Sequence, residues 1–205
     1  MQIEGSVALV TGTSRGLGRV FARELVRRGA ARVYGAARDP AAVTEPGVVP
    51  VALDITDAAR VAQVARECAD VSLLVNNAGV MAASSFIGSV TSFFTNPFNA
   101  SYGASKAAGL ALANGVRIEL HHQGTQVVAV HAGFVDTDMS AGLDVPKISP
   151  ESVVSQALDA VEAGRLEVLA DERSRQVKAS LPRDHELIYP AIQALWEGIP
   201  APGEA

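Results

Sequence analysis

Cysteine is almost missing from this chain. Its single example, Cys68, excludes an internal disulfide framework and fits a reducing compartment. It falls in a helical pattern and reads as a packed thiol. An excess of basic charge is missing too. Seventeen Lys and Arg stand against 22 Asp and Glu, a net charge of −5, which offers no attractive field to nucleic acid or anionic lipid. No apolar run reaches the roughly 18 residues that cross a bilayer. The opening MQIEGSVALVTG has neither the basic leader nor the long apolar stretch of a secretory signal. These absences predict a cytoplasmic protein with no nucleic-acid or membrane partner. What is present is apolar: 48% of the 205 residues are hydrophobic, enough for one domain with a sizeable core. That domain is expected over residues 1–198, with 199–205 as a flexible tail.

Apolar runs alternate with amphipathic stretches. Strands are expected at 6–12, 31–38, 48–54, 71–79, 125–133 and 165–170, and helices at 16–30, 56–70, 101–124 and 149–164. In the first helix Leu17, Val20, Phe21, Leu25 and Val26 recur at helical spacing. The second opens on Thr56, a good N-cap. Strands separated by helices indicate an α/β fold, a doubly wound parallel sheet of Rossmann-like type covered on both faces.

Between the first strand and first helix stands TGTSRGLG, residues 11–18, with glycines at 12, 16 and 18. Glycine permits positive φ and lets a phosphate approach the backbone. The next helix offers unpaired N–H groups and the positive end of its dipole. A tight strand-to-helix turn would explain glycines alone; their place after the first strand of an alternating chain favours a dinucleotide. The second strand ends at Ala37, where a site for a free ribose 2′-hydroxyl usually carries an acid. Arg38 comes next, and Arg15 lies in the glycine loop. Two guanidinium groups suit a 2′-phosphate, so NADP(H) is favoured over NAD(H). The plain alternative is two solvated arginines, one partly neutralised by Asp39.

Tyr102 and Lys106 are four apart in a helical pattern and share a face. A tyrosine that exchanges protons near neutrality needs its pKa lowered by about three units, and a neighbouring ammonium acts in that direction. Ser89 lies thirteen residues before Tyr102, and its hydroxyl can hydrogen-bond an oxygen on which charge develops.

With these motifs in place, the chain resembles the short-chain dehydrogenase/reductase family almost from end to end. TGTSRGLG resembles the family's cofactor loop, which implies cofactor contacts from Gly12, Ser14, Arg15, Gly16, Leu17 and Gly18. Asp54, with Ile55 beside it, matches the acidic position that contacts adenine. NNAG (76–79) matches the motif after the fourth strand and implicates Asn76, Ala78 and Gly79. Ser89, Tyr102 and Lys106 match the catalytic serine, tyrosine and lysine. AGFVDTDM (132–139) resembles the stretch that holds the nicotinamide, through Gly133 and Thr137, with Ala132 in place of the usual proline. The resemblance implies hydride transfer between NADP(H) and a carbonyl or alcohol, with Tyr102 as general acid and base. Lys106 would hold the nicotinamide ribose and lower the Tyr102 pKa. It also implies a homo-oligomer and no metal.

One part of the family pattern is short. Between the NNAG motif and the serine the family carries a crossover helix, bearing a catalytic asparagine, and then a strand. Here nine residues separate Gly79 from Ser89, whereas a parallel crossover takes about a dozen or more. The helix and strand are therefore expected to be missing or reduced, with FIGSV (86–90) as a remnant. A dinucleotide-binding protein of little turnover, serving as a regulatory or interaction module, is the alternative function. Loss of the crossover also predicts an uncovered apolar side on the 101–123 helix. His121 and His122 sit at a helix end, His131 reads as a packed residue, and SFFTNPFNA (92–100) either shapes a substrate pocket or packs under a loop.

Overall fold

The computed structural model describes residues 1–78 and 87–198. Strand β1 (Val7–Thr11) leads through the glycine turn into α1 (Gly16–Arg27), then β2 (Arg32–Ala37), β3 (Val48–Ala52), α2 (Ala58–Glu67) and β4 (Leu73–Val75). These strands form a parallel sheet in the order β3-β2-β1-β4. Strand β5 (Ile87–Ser89), helix α3 (Ala100–Glu119), β6 (Ala129–Ala132), α4 (Pro150–Glu162) and β7 (Glu167–Leu169) come after them in the chain. Here β5-β6-β7 make a second parallel set.

Alternation along the strands explains both layers. Ala8 and Val10 of β1 enter one core with Phe21 and Leu25 of α1, Val130 of β6, and Val153 and Leu158 of α4. Leu9 faces the other way, with Ala36, Leu53, Val64 and Cys68. The two strand sets thus share a core, with α1 and α4 on one face and α2 on the other: the expected doubly wound parallel fold. Burial raises the Cys68 pKa, as befits a packed thiol.

Several local expectations shift. Asp57, not Thr56, caps α2, accepting from the Arg60 N–H at 3.0 Å. Thr56 is drawn back to Asp54, donating to its carboxylate through both backbone and hydroxyl, at 2.9 and 2.7 Å. Of the expected remnant, Ile87–Ser89 form the short β5, paired with β6 so that Ser89 lies opposite Ala132. After β7 the chain forms α5 (Glu172–Ser180), α6 (Asp184–Leu187) and α7 (Tyr189–Glu197), three helices beyond the expected set. Gly79 and the expected tail at 199–205 lie outside the described residues. On α3, the apolar side chains of Leu112 and Ile118 are 54% and 77% exposed.

Candidate active site

The described cofactor candidates gather at the C-terminal ends of the strands, where open α/β sheets bind ligands. Ser14 and Arg15 ride the turn after β1, and Leu17 stands in the first turn of α1. Arg38 lies just past β2, Asp54 and Ile55 past β3, Asn76 and Ala78 past β4, and Gly133 and Thr137 past β6. The glycines are demanded by space. Gly12 has φ +73°, and a Cβ there would stand 2.9 Å from Ala78 Cα; a Cβ at Gly18 would stand 2.1 Å from the Gly12 carbonyl oxygen. Gly16 has φ +56°, and its absent Cβ would lie 3.9 Å from Thr137 Cγ2, so the turn and the loop after β6 face each other.

Thr11 and Asn77 fix this floor. The Thr11 hydroxyl accepts from the Asn77 and Ala78 N–H groups at 3.0 and 2.9 Å, and Asn77 Nδ2 donates to the Thr11 carbonyl at 2.9 Å. Asn77 stands inside the NNAG motif, but its sewing of β4 to β1 needs a partner 66 residues away. Asp171, not anticipated from sequence, caps α5 and accepts the Gly133 N–H at 2.5 Å. Its local signal was an acid before ERS, a helix-start pattern. The Ala78 and Gly133 N–H groups are thus engaged within the protein.

Arg15 and Arg38 are exposed, and neither guanidinium is paired with a carboxylate among the described residues. Asp39, the expected neutraliser, instead accepts from the Ala41 N–H at 3.0 Å. The Asp54 carboxyl is held low by the two Thr56 hydrogen bonds, with a smaller contribution from Arg38.

Ser89 ends β5 and Tyr102 stands in the first turn of α3, with their hydroxyls hydrogen-bonded. Lys106 lies one turn on, buried to 6% exposure, its Nζ 5.2 Å from the centre of the Tyr102 ring. Burial pushes the Tyr102 pKa up, and the Ser89 bond opposes that rise. Burial also brings Lys106 down to about 8. The expected lowering of Tyr102 by Lys106 is therefore not found in the protein alone: desolvation of both groups outweighs it. The SFFTNPFNA stretch has one packed and one exposed ring. Phe93 packs on His131 at 4.5 Å, while Phe98 is 54% exposed and meets Trp196 edge-on at 5.4 Å. Two described concavities, of about 360 and 260 Å³, lie along α4–β7 and α1–α4 and contain none of the predicted site residues.

A parallel sheet with a glycine turn at its switch point and a Ser-Tyr-Lys cluster beside it defines a nucleotide-dependent oxidoreductase scaffold. The chain belongs to the short-chain dehydrogenase family, whose model matches residues 6–87 and 85–146. The two matched pieces overlap at 85–87. The chain is 28% identical to the 3-oxoacyl-acyl-carrier-protein reductase of Vibrio harveyi, over 81% of this chain and 86% of that one. It is also 28% identical to the sorbitol dehydrogenase of Cereibacter sphaeroides, over 89% and 85%. Among solved structures, a short-chain dehydrogenase from Burkholderia cenocepacia in complex with NADP superposes with a TM-score of 0.87. It shares 31% identity, over 94% of this chain and 99% of that one.

Proposed function

We propose that residues 1–198 form an NADP(H)-dependent oxidoreductase that interconverts a carbonyl and an alcohol. The hydrogen-bonded Ser89–Tyr102 pair with Lys106 one turn away is the observation that carries this reading. The fit to the cofactor rests on this chain's own residues. The turn at Gly12, Gly16 and Gly18 has no room for side chains at Gly12 and Gly18. Arg15 and Arg38 leave two guanidinium groups uncommitted for a 2′-phosphate. The NADP complex of the Burkholderia relative supports the same choice over NAD(H).

When bound, the nicotinamide supplies or accepts the hydride. The chain's residues do the rest. Ser89 donates a hydrogen bond to the substrate oxygen, and Tyr102 gives that oxygen its proton in reduction and removes it in oxidation. Lys106 holds the ribose side of the site and, once charged beside it, favours the phenolate. Thr137 and Gly133 line the nicotinamide end, and Asp54 and Ile55 the adenine end. No residue matches the family's relay asparagine by motif, so turnover is expected to be slow, by about a hundredfold to ten-thousandfold. A second copy of the chain, as a homo-oligomer, would cover the open face of α3.

The test is NADPH oxidation against a panel of ketones and aldehydes, beside NADPH binding by calorimetry. Slow turnover with firm binding supports the reading. Binding without turnover leaves the regulatory module, and no binding removes both.

A further inference from the structure

His131 is the most enclosed charged-type side chain near the site, 1% exposed on β6, one residue before the partner of Ser89 in the strand pairing. Its Nδ1 lies 3.0 Å from the Ser92 hydroxyl. The Ser92 hydroxyl in turn donates to the Ser89 carbonyl oxygen. Since that hydroxyl proton is committed to Ser89, Ser92 accepts from the ring, and the imidazole carries its proton on Nδ1. The other nitrogen agrees with this tautomer. Nε2 has no hydrogen-bond partner among the described residues, and Glu167 Oε1 stands off at 3.7 Å, held at 2.7 Å by Lys178. Burial keeps the ring neutral; Lys178 acts the same way, while Glu167 and the Ser89 backbone oppose it. Phe93 closes over the ring.

A buried imidazole with one nitrogen left unpaired costs stability, and a packed hydrophobe would avoid that cost. What the histidine provides is a donor to the Ser92 hydroxyl, which itself donates to the Ser89 carbonyl oxygen. The Ser89 side chain faces elsewhere, accepting from the Thr91 N–H at 3.3 Å and meeting the Tyr102 hydroxyl.

We propose that His131 is a positioning residue for Ser89: its Nδ1–H, with the Ser92 hydroxyl, fixes the strand end that aims the Ser89 hydroxyl at Tyr102. This rests on the proposed roles of Ser89 and Tyr102, and it can be tested without turnover. The chain has three tyrosines, Tyr34, Tyr102 and Tyr189. In protein labelled at tyrosine 13Cζ, an NMR pH titration reads each phenol separately, with Tyr102→Phe assigning the signal. His131→Leu is expected to move the Tyr102 midpoint upward, because the favourable Ser89 bond is lost, and to leave Tyr34 unmoved. His131→Asn, whose Nδ2–H stands where Nδ1–H stood, is expected to restore it. Ser89→Ala should give the same upward shift, and the double variant no further one. Should His131→Leu fail to fold, Ser92→Ala is read in the same way, with a shift in the same direction. An unchanged midpoint in a folded variant overturns the inference. So does a shift that His131→Asn leaves uncorrected, since packing alone would then explain it. In turnover, His131→Leu should lower kcat about tenfold or more while the NADPH KM stays within about twofold. If the wild type binds NADPH without turnover, the proposed activity fails and the titration still decides this inference.

Discussion

The Gly12 carbonyl oxygen lies 2.1 Å from where a Cβ on Gly18 would stand, so the first helix packs on the end of the first strand with no space between them. Gly18→Ala is expected to destabilise the protein by about 1–3 kcal/mol, the usual scale for overpacking. The urea midpoint should fall while the m-value holds. NADPH binding should weaken as well, because relief of the clash moves the turn. A variant as stable as the wild type would contradict the tight contact.

Arg38→Ala is expected to weaken NADPH binding by about 1–3 kcal/mol, the scale of a charge-assisted hydrogen bond, and barely to affect NADH. Calorimetric titration with both cofactors decides it. An equal loss for both would assign Arg38 to general surface charge.

Tyr102→Phe is expected to abolish turnover and leave NADPH affinity nearly unchanged, since only the proton-carrying hydroxyl is removed. Stopped-flow measurement of NADPH oxidation beside equilibrium binding separates these effects. Residual turnover at the wild-type rate would transfer the proton role elsewhere.

Lys106 gives a pH signature. Its ordinary value of 10.5 falls to about 8 on burial. Between those values the unfolded chain holds a proton that the folded chain has released, so stability rises with pH across that window. Below about 8 the buried charge is a standing cost. Lys106→Met should therefore remove activity and flatten the rise of stability with pH between about 8 and 10.5. Denaturation midpoints measured from pH 7 to pH 10.5 would show it; an equally steep rise in both proteins would refute the burial effect.

The parts legible in the sequence were those written locally. The glycine turn announces itself because Gly12 and Gly16 need positive φ, and the alternation of β1 through β4 arises from apolar runs broken by amphipathic ones. The helices after β7 were missed because α5, ERSRQVKAS, carries no apolar stripe, and Pro182 and Pro190 interrupt the helical pattern beyond it. At the second helix two adjacent cap residues competed, and Asp57 prevailed because Thr56 was already bound to Asp54. Within the site, Ser89, Tyr102 and Lys106 were recognisable by spacing. Asp171 on Gly133, and His131 on Ser92, were not: each contact joins residues about forty positions apart, and no local pattern encodes it.

The core that joins both halves also sets the order in which a new molecule can be completed. Ile3, Val10 and Leu25 are buried against Val153, Val154 and Leu158. Arg28 ties the same faces together, pairing with Glu24 at 2.9 Å, Asp159 at 2.7 Å and Glu162 at 3.1 Å. On the ribosome, α1 emerges with its apolar stripe bare, and α4 arrives only after more than a hundred further residues, on the order of ten seconds of synthesis. During that interval the stripe stays open to water and to chaperones, and the amino-terminal strands gain their permanent cover only once α4 has been made.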